Sequence, residues 1–474
     1  MIIVDYQLFL RCGRDSDMYL SRNDFLLQFS QRVLDEKTAL FLGAGGTIDA
    51  GYPSWKELFT PIAKELGKNI EDIDDYYKLA QYYSNHSDDN ELRTKIVERL
   101  NQYSHKSVLL DELMDIGFSD VWTTNFDNAV EMNYSARNIR INKVFKDDDI
   151  SSMHLDNHIN LFKLNGDVSN PAGMVATQAD FEKYNDTHRF MLMFFKRSLI
   201  SSAFLFIGYS FKDHLVLDCL SEIRNYLGRA ATTHYAIIKK ETENPYFELF
   251  IEDLEKRYGV RALVVDDYSE IPIVLNELNT RIRDKRVFIS GAFNAYESKI
   301  EEFSHCLSKE LSKSLLENDF RIVNGIGRRF GTHLIGYASE FLAKSGKKSI
   351  EKNLIITPFV DNSAKGAVNK NEKRKHVIHG CGAAIFVFGD SDNNSAEYKS
   401  GVMEEFVISR EQHKTIIPIR YPGYVSETIW NIVHGNLTEF PYLEGCLEQL
   451  QYDQSISQIC NTVIHILESV RDSR

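Results

Sequence analysis

TALFLGAGGTIDAGYPSWKEL, running from Thr38 to Leu58, is the stretch on which the fold turns. Thr38 to Leu42 is a short apolar run of the kind that forms a buried strand in a parallel sheet. Gly43-Ala44-Gly45-Gly46 follows at once, and Trp55, Leu58, Ile62 and Leu66 then recur at helical spacing. Strand, glycine turn and helix in that order let bare backbone N–H groups approach a pyrophosphate, since a Cβ would obstruct both the turn and the ligand. Taken alone, such a stretch more often marks ordinary chain reversal than nucleotide binding. Its meaning depends on what stands downstream.

The chain has 474 residues, more than a single hydrophobic core accommodates, so two or three domains are expected. Lys and Arg number 55 against 68 Asp and Glu, a net charge of −13. That balance argues against nucleic acid as a partner, because phosphate neutralisation supplies most duplex affinity. It leaves room for a small basic pocket that takes an anionic nucleotide. The six cysteines (Cys12, Cys219, Cys306, Cys381, Cys446 and Cys460) are scattered without a C-x-x-C pair. Neither a structural zinc site nor a disulfide framework is indicated, and no metal is expected. Sparse cysteine fits a reducing cytoplasm. The N-terminal MIIVDYQLFL carries Asp5 and lacks a basic region, which makes a poor secretory signal. No apolar run reaches bilayer length, so the expectation is a cytoplasmic protein with no membrane partner.

Residues 1–22 read as an N-terminal extension. Asn23 or Asp24 is placed to cap a helix through Phe25, Leu26, Phe29 and Val33. Residues 72–102 read as helices whose core faces carry Leu79, Tyr82, Tyr83, Leu92, Ile96 and Leu100. Three further segments repeat the opening form, an apolar strand running into a polar cluster: Ser119 to Asp127, Ile159 to Asp167, and Ala203 to Asp213. His234 to Ile238 and Arg261 to Val265 supply two more strands. Strands separated by helices predict a parallel sheet covered on both faces, with ligand beyond the carboxyl ends of the strands. The polar clusters at Gly43, Asn125, Asn165 and Ser210 all fall at such ends.

A second alternation begins near Lys285, after a helix over Glu270 to Ile282. Its strands are Arg286 to Ser290, Phe320 to Asn324, Leu354 to Thr357, Ala384 to Phe388 and Thr415 to Ile419. Asp361 to Lys375, polar and basic, reads as a loop. The fold class is therefore α/β, with two doubly wound, Rossmann-like parallel-sheet domains: 23–283 and 284–474.

Gly43-Ala44-Gly45-x-Thr47 with Ala50-Gly51-Tyr52-Pro53-Ser54-Trp55 resembles the sirtuin signature G-A-G-x-S followed by S-G-I-P-x-F. Thr123-Thr124-Asn125-Phe126-Asp127 resembles T-Q-N-x-D, and Lys163-Leu164-Asn165-Gly166-Asp167 resembles K-L-H-G-D with asparagine in place of histidine. Gly208-Tyr209-Ser210-Phe211-x-Asp213 resembles the G-x-S-F-x-D of bacterial defence-type sirtuin-like domains. The resemblance implies NAD as substrate. Gly43, Ala44 and Gly45 would cradle its pyrophosphate, with Thr47, Ser210 and Asp213 also in the binding site. Asn125 and Asp127 would stand by the nicotinamide ribose, where a carboxylate and an amide stabilise oxocarbenium character and position water. Asp127 equally suits a helix N-cap, and could serve both ends. The four-cysteine zinc module of sirtuin deacetylases is missing, which favours simple NAD hydrolysis over deacylation. The family histidine at position 165 acts as a base near the ribose hydroxyls. Asn165 cannot accept a proton in that way, so this chain is expected to be impaired in hydrolysis. His154, close by in sequence, reads as a loop residue.

In the second domain, Ser290-Gly291, the loop Gly325-Ile-Gly327-Arg328-Arg329-Phe-Gly331, and Gly401 to Glu405 resemble the SLOG family of nucleotide-sensing and nucleotide-processing proteins. The glycine loop follows a strand and precedes a helix, and its arginines attract an anion. By the resemblance Arg374 would hold ligand phosphate, and Glu405 would accept from ribose hydroxyls. Lys373 to His376 also suits a solvated basic face, and Glu405 an ordinary surface carboxylate. The order sirtuin-like then SLOG resembles that of the NAD-cleaving effectors of the Thoeris anti-phage system. It implies a homo-oligomer (tetramer or higher) whose SLOG domain senses a cyclic ADP-ribose isomer made by a TIR-domain protein, releasing the first domain to deplete NAD. The competing reading is a catalytically silent nucleotide sensor, which Asn165 supports. A nucleotide phosphoribohydrolase of the LOG group ranks last, because its P-G-G-x-G-T-x-x-E string is missing.

Overall fold

Burial on both faces accounts for the strand sequences. Thr38–Leu42 and Ala203–Ile207 are buried at every position, so they have no side to turn to water and lie mid-sheet under helices. The computed structural model describes residues 19–101, 106–153, 159–294, 297–346, 349–359, 366–390 and 400–472. The chain forms two compact units that divide between Asn279 and Thr280.

The first unit contains β1 (Thr38–Leu42), β2 (Asp120–Thr123), β3 (Ile141–Val144), β4 (Ile159–Lys163), β5 (Ala203–Ile207), β6 (His234–Lys239) and β7 (Val260–Val265). They make a seven-stranded, wholly parallel sheet in the order β3-β4-β2-β1-β5-β6-β7. The register aligns Leu42 with Thr123 and with Ile207, and Thr123 with Lys163. The loops after β1, β2, β4 and β5 therefore leave the sheet side by side. The side on which successive strands are added switches at β1, with β2 on one side and β5 on the other, and such a switch point is where open α/β sheets bind ligands.

Several local expectations need correction. Ile141–Val144 was not anticipated: it is four residues long, half polar, and sits at the sheet edge, where neither length nor hydrophobicity is demanded. The first helix, Arg22–Leu34, is capped by Ser21, whose hydroxyl accepts from Asp24 N, so neither Asn23 nor Asp24 is the cap. Tyr82 is 62% exposed, whereas Leu79 and Tyr83 hold the core face as expected. The glycine stretch continues as a 3-10 helix, Ala44–Ala50, and the α-helix Trp55–Glu65 begins only at a capping box between Ser54 and Glu57. His154 lies outside the described residues.

The second unit contains β8 (Arg286–Ala292), β9 (Arg321–Asn324), β10 (Leu354–Ile356), β11 (Ala383–Phe388) and β12 (Thr415–Ile419), parallel throughout in the order β10-β9-β8-β11-β12. Residues 366–375, expected as loop, belong to the helix Gly366–His379. Its sequence shows almost no apolar stripe, because among its described side chains only Arg374 and Ile378 are fully buried.

Candidate functional site

At the switch point of the first unit, two loops close on one another through bare backbone. Gly43 N donates to Ile207 O and Gly45 N to Gly208 O, both at 2.9 Å, and Gly46 N donates to Gly43 O at 2.9 Å. A Cβ on Gly43 would lie 2.4 Å from Gly208 O, and one on Gly208 would lie 2.0 Å from Gly46 N. Gly208 also sits at φ +64°. The glycines are thus required by the approach of the β1 and β5 loops, and three of their N–H groups are spent on the chain itself. What Gly43, Ala44 and Gly45 offer a ligand is a low surface without side-chain bulk.

Thr47, Asn125 and Asp127 are brought together there, each buried. Thr47 Oγ1 donates to Asp127 Oδ2 at 3.2 Å and accepts from Asn125 Nδ2 at 3.5 Å. The other Asp127 oxygen, Oδ1, accepts from Ala129 N at 3.0 Å, but the N-cap of the helix Ala129–Ala136 is Asn128 and not Asp127, which lies one residue ahead of it. Thr123 ties the loops: its hydroxyl donates to Leu42 O at 2.7 Å and accepts from Asn125 N at 2.9 Å. Burial raises the Asp127 pKa, and the charge of Lys163 opposes that rise.

Asn165 follows β4 and is fully buried. Its Nδ2 donates to Tyr77 OH at 2.9 Å, and the Asp213 carboxylate stands near that hydroxyl. The Tyr77 hydroxyl accepts from the Asn165 amide nitrogen, and the amide oxygen is turned the other way. Asn165 Oδ1 and Asn125 Oδ1 are both buried without a hydrogen-bond partner among the described residues. Two orphan acceptors at the ends of neighbouring strands suit a ligand that presents hydroxyl donors. Asp213 also caps the helix His214–Leu227 by accepting from Leu215 N at 2.9 Å. Ser210 is exposed and stands outside the Thr47–Asn125–Asp127 cluster. Trp55 packs between Tyr77 and Phe126, with ring centroids 5.6 and 5.7 Å away.

Beneath the cluster lies an ion network that the sequence reading passed over. Lys163 Nζ reaches Asp167 Oδ2 at 2.5 Å, Glu131 Oε1 at 3.2 Å and Phe126 O at 3.1 Å, and it also donates to Asp127 O. Lys143 reaches the other Asp167 oxygen at 3.0 Å. Burial would raise the Asp167 pKa, but Lys163 and the Ser169 hydrogen bonds outweigh it and hold that carboxylate well below its usual range. Lys163 thereby pins the loop that carries Asn125 and Asp127. A lysine inside the apolar run Ile159 to Leu164, four residues before an aspartate, was the available signal. Tyr77 gave none, being one of many tyrosines on amphipathic helices.

In the second unit Ser290, Arg374 and Glu405 form one buried cluster. Ser290 Oγ donates to Glu405 Oε2 at 2.5 Å, Arg374 Nε donates to Glu405 Oε1 at 3.2 Å, and Arg374 also pairs with Glu404. Glu405 is thus no surface carboxylate; burial raises its pKa against the pull of Ser290 and Arg374. Of the basic run, Lys373, Lys375 and His376 are exposed and only Arg374 turns inward. The glycine loop repeats the logic of the first unit, since a Cβ on Gly327 would lie 2.0 Å from Gly291 O. Gly325 is covered by the Phe359 ring. Arg328 is exposed and donates to Asn294 Oδ1 at 3.3 Å, whereas Arg329 is turned onto Glu301.

Residues 119–263 match the SIR2-like domain family, and residues 270–470 match the Sir2- and TIR-associating SLOG family. Fold, site and these matches define a two-domain protein of the sirtuin-like and SLOG class. The NAD(+) hydrolase ThsA of Bacillus cereus (strain MSX-D12) is 31% identical over 470 residues, covering 94% of this chain and 97% of that protein. Those of Cytobacillus dafuensis and Enterococcus faecium are each 26% identical across 96% of this chain, covering 98% and 100% of their own lengths. The chain belongs to the ThsA family of NAD(+) hydrolases. Among the described residues no helix is long and apolar enough to cross a membrane.

Proposed function

We propose that the first unit binds NAD in the crevice beyond β1, β2, β4 and β5 and hydrolyses it to nicotinamide and ADP-ribose, under control of the second unit. The observation that carries this is the pair of orphan amide oxygens, Asn125 Oδ1 and Asn165 Oδ1, in the loops after the neighbouring strands β2 and β4. Ribose hydroxyls supply the donors they lack. The Gly43–Gly45 surface gives the pyrophosphate room, with Ser210 at the rim. When the bond between nicotinamide nitrogen and ribose C1′ breaks, positive charge develops on the ribose, and the Asp127 carboxylate beside it lowers that barrier. Water then adds at C1′ and loses a proton. Asn165 accepts a hydrogen bond from a ribose hydroxyl but takes up no proton, so binding is retained while turnover is slowed.

The second unit is the sensor in this reading. Ser290, Gly291, Gly325 and Gly327 frame the site, Arg328 and Arg374 attract phosphate, and Glu405 accepts from a ribose. The ligand is a cyclic ADP-ribose isomer supplied by a TIR-domain protein, and control runs through a homo-oligomer. The test is product analysis of the full chain with NAD, with and without a cyclic ADP-ribose isomer. Nicotinamide release should rise at least roughly tenfold with the cyclic nucleotide, and Arg374→Ala should abolish the rise. NAD binding with no cleavage under either condition would instead favour the silent sensor that Asn165 suggests.

A further inference from the structure

Away from the Ser290–Arg374–Glu405 cluster, the second unit gathers three metal-ligating side chains that the proposed function does not use. Glu301 and His305 lie one turn apart on the helix Ser298–Glu317, and His333 lies on the helix Phe330–Ser345. One ligand atom from each falls within 4.8 Å of the others. The two imidazoles are stacked, with centroids 3.9 Å apart and planes tilted by 23°. Their Nδ1 atoms are both taken: His333 by the Ser304 hydroxyl at 2.9 Å, His305 by the Tyr337 hydroxyl at 3.1 Å. Their Nε2 atoms both face Glu301 Oε2, at 3.7 Å from His333 and 4.0 Å from His305.

Those last distances are too long for hydrogen bonds. They are a few tenths of an ångström longer than the separation of about 3.3 Å between ligand atoms around a tetrahedral ion with bonds of roughly 2.0–2.1 Å. Holding Nδ1 by an outer hydroxyl while Nε2 faces inward is how proteins orient metal-binding histidines. Arg329 occupies the other Glu301 oxygen, Oε1, and leaves Oε2 to the histidines. His305 is 48% exposed, so it is the member able to swing in on an arriving ion.

We propose that Glu301, His305 and His333 bind one divalent transition-metal ion of the zinc class, with the remaining position taken by solvent or a ligand oxygen. Two imidazoles and one carboxylate suit Zn²⁺ or Co²⁺ and not the all-oxygen cations. The expectation of no metal came from cysteine spacing, which cannot register a site whose third ligand comes from another helix.

The test strips the full-length chain with a chelator and titrates it with Co²⁺ alone, following visible absorption. One equivalent should bind with the d–d bands of a low-coordinate site. His333→Gln and His305→Gln should each weaken binding at least roughly tenfold, and Ser304→Ala by about the same as an outer-shell loss. Cys306→Ser, which removes the exposed neighbouring thiol, should leave binding unchanged. Absence of saturable uptake by the unaltered chain overturns the site whether or not the variants fold. Uptake unchanged in both histidine variants overturns it as well.

Discussion

Asn165 is held by Tyr77 and aims its orphan oxygen away from it, and that orientation is the most informative detail of the first site. Tyr77→Phe would leave Asn165 Nδ2 buried without an acceptor, at a cost of about 1–3 kcal/mol in global stability. It would also free the amide to rotate, so thermal unfolding and NAD affinity should both fall. Affinity unchanged despite lower stability would mean that the amide orientation is irrelevant to NAD. Asp167 gives a pH test. Its folded pKa is depressed, so its stabilisation is full above the unfolded value of 3.8 and is lost as pH falls below it. Asp167→Asn, which breaks a buried pair, should cost roughly 3–5 kcal/mol near neutral pH. The gap between the unfolding temperatures of the two proteins should close toward acid; a gap independent of pH would contradict the role given to Lys163.

Loop packing is the controlling feature among the elements. Gly208→Ala sets a Cβ into Gly46 N at positive φ, and both backbone loops stand in the way. It should destabilise by about 3 kcal/mol or more, since strain and a backbone clash add. Expression yield and the melting temperature report it. Arg93 plays a comparable part for the helix Asp89–Leu100: it is buried, pairs with Asp89 and Asp180 at 2.8 Å each, and donates to Pro171 O and Met174 O. Arg93→Met should cost about 2 kcal/mol and expose the 171–180 segment to protease; equal protease resistance would contradict that clamp.

The strands were legible because mid-sheet burial leaves a continuous apolar run, as at Thr38–Leu42 and Ala203–Ile207. Edge strand β3 was not, because its exposed side permits Asn142 and Lys143. The helix Gly366–His379 escaped because few of its side chains reach the core. The polar residues at strand ends were legible by position, since register alone brings Asn125 and Asn165 to one row. Their partners were not: Tyr77 comes from a helix 88 residues earlier in the chain, and no local pattern announces the contact. The glycines were read as ligand contacts, yet the physical demand on them comes first from the facing loop.

For the whole molecule, membership of the ThsA family and the sirtuin-like and SLOG pair of domains support NAD as the substrate. The proposed gating by cyclic nucleotide and the proposed penalty at position 165 are separable, because one is assigned to each unit. The most direct measurement compares NAD consumption by the full chain and by Asn165→His, each with a cyclic ADP-ribose isomer present. A positioned base is worth roughly 10²–10⁴ in rate, so the histidine form should cleave NAD at least about a hundredfold faster at similar NAD affinity. Equal rates in the two forms would contradict the assignment of position 165, and with it the placing of the cleavage site beyond β4.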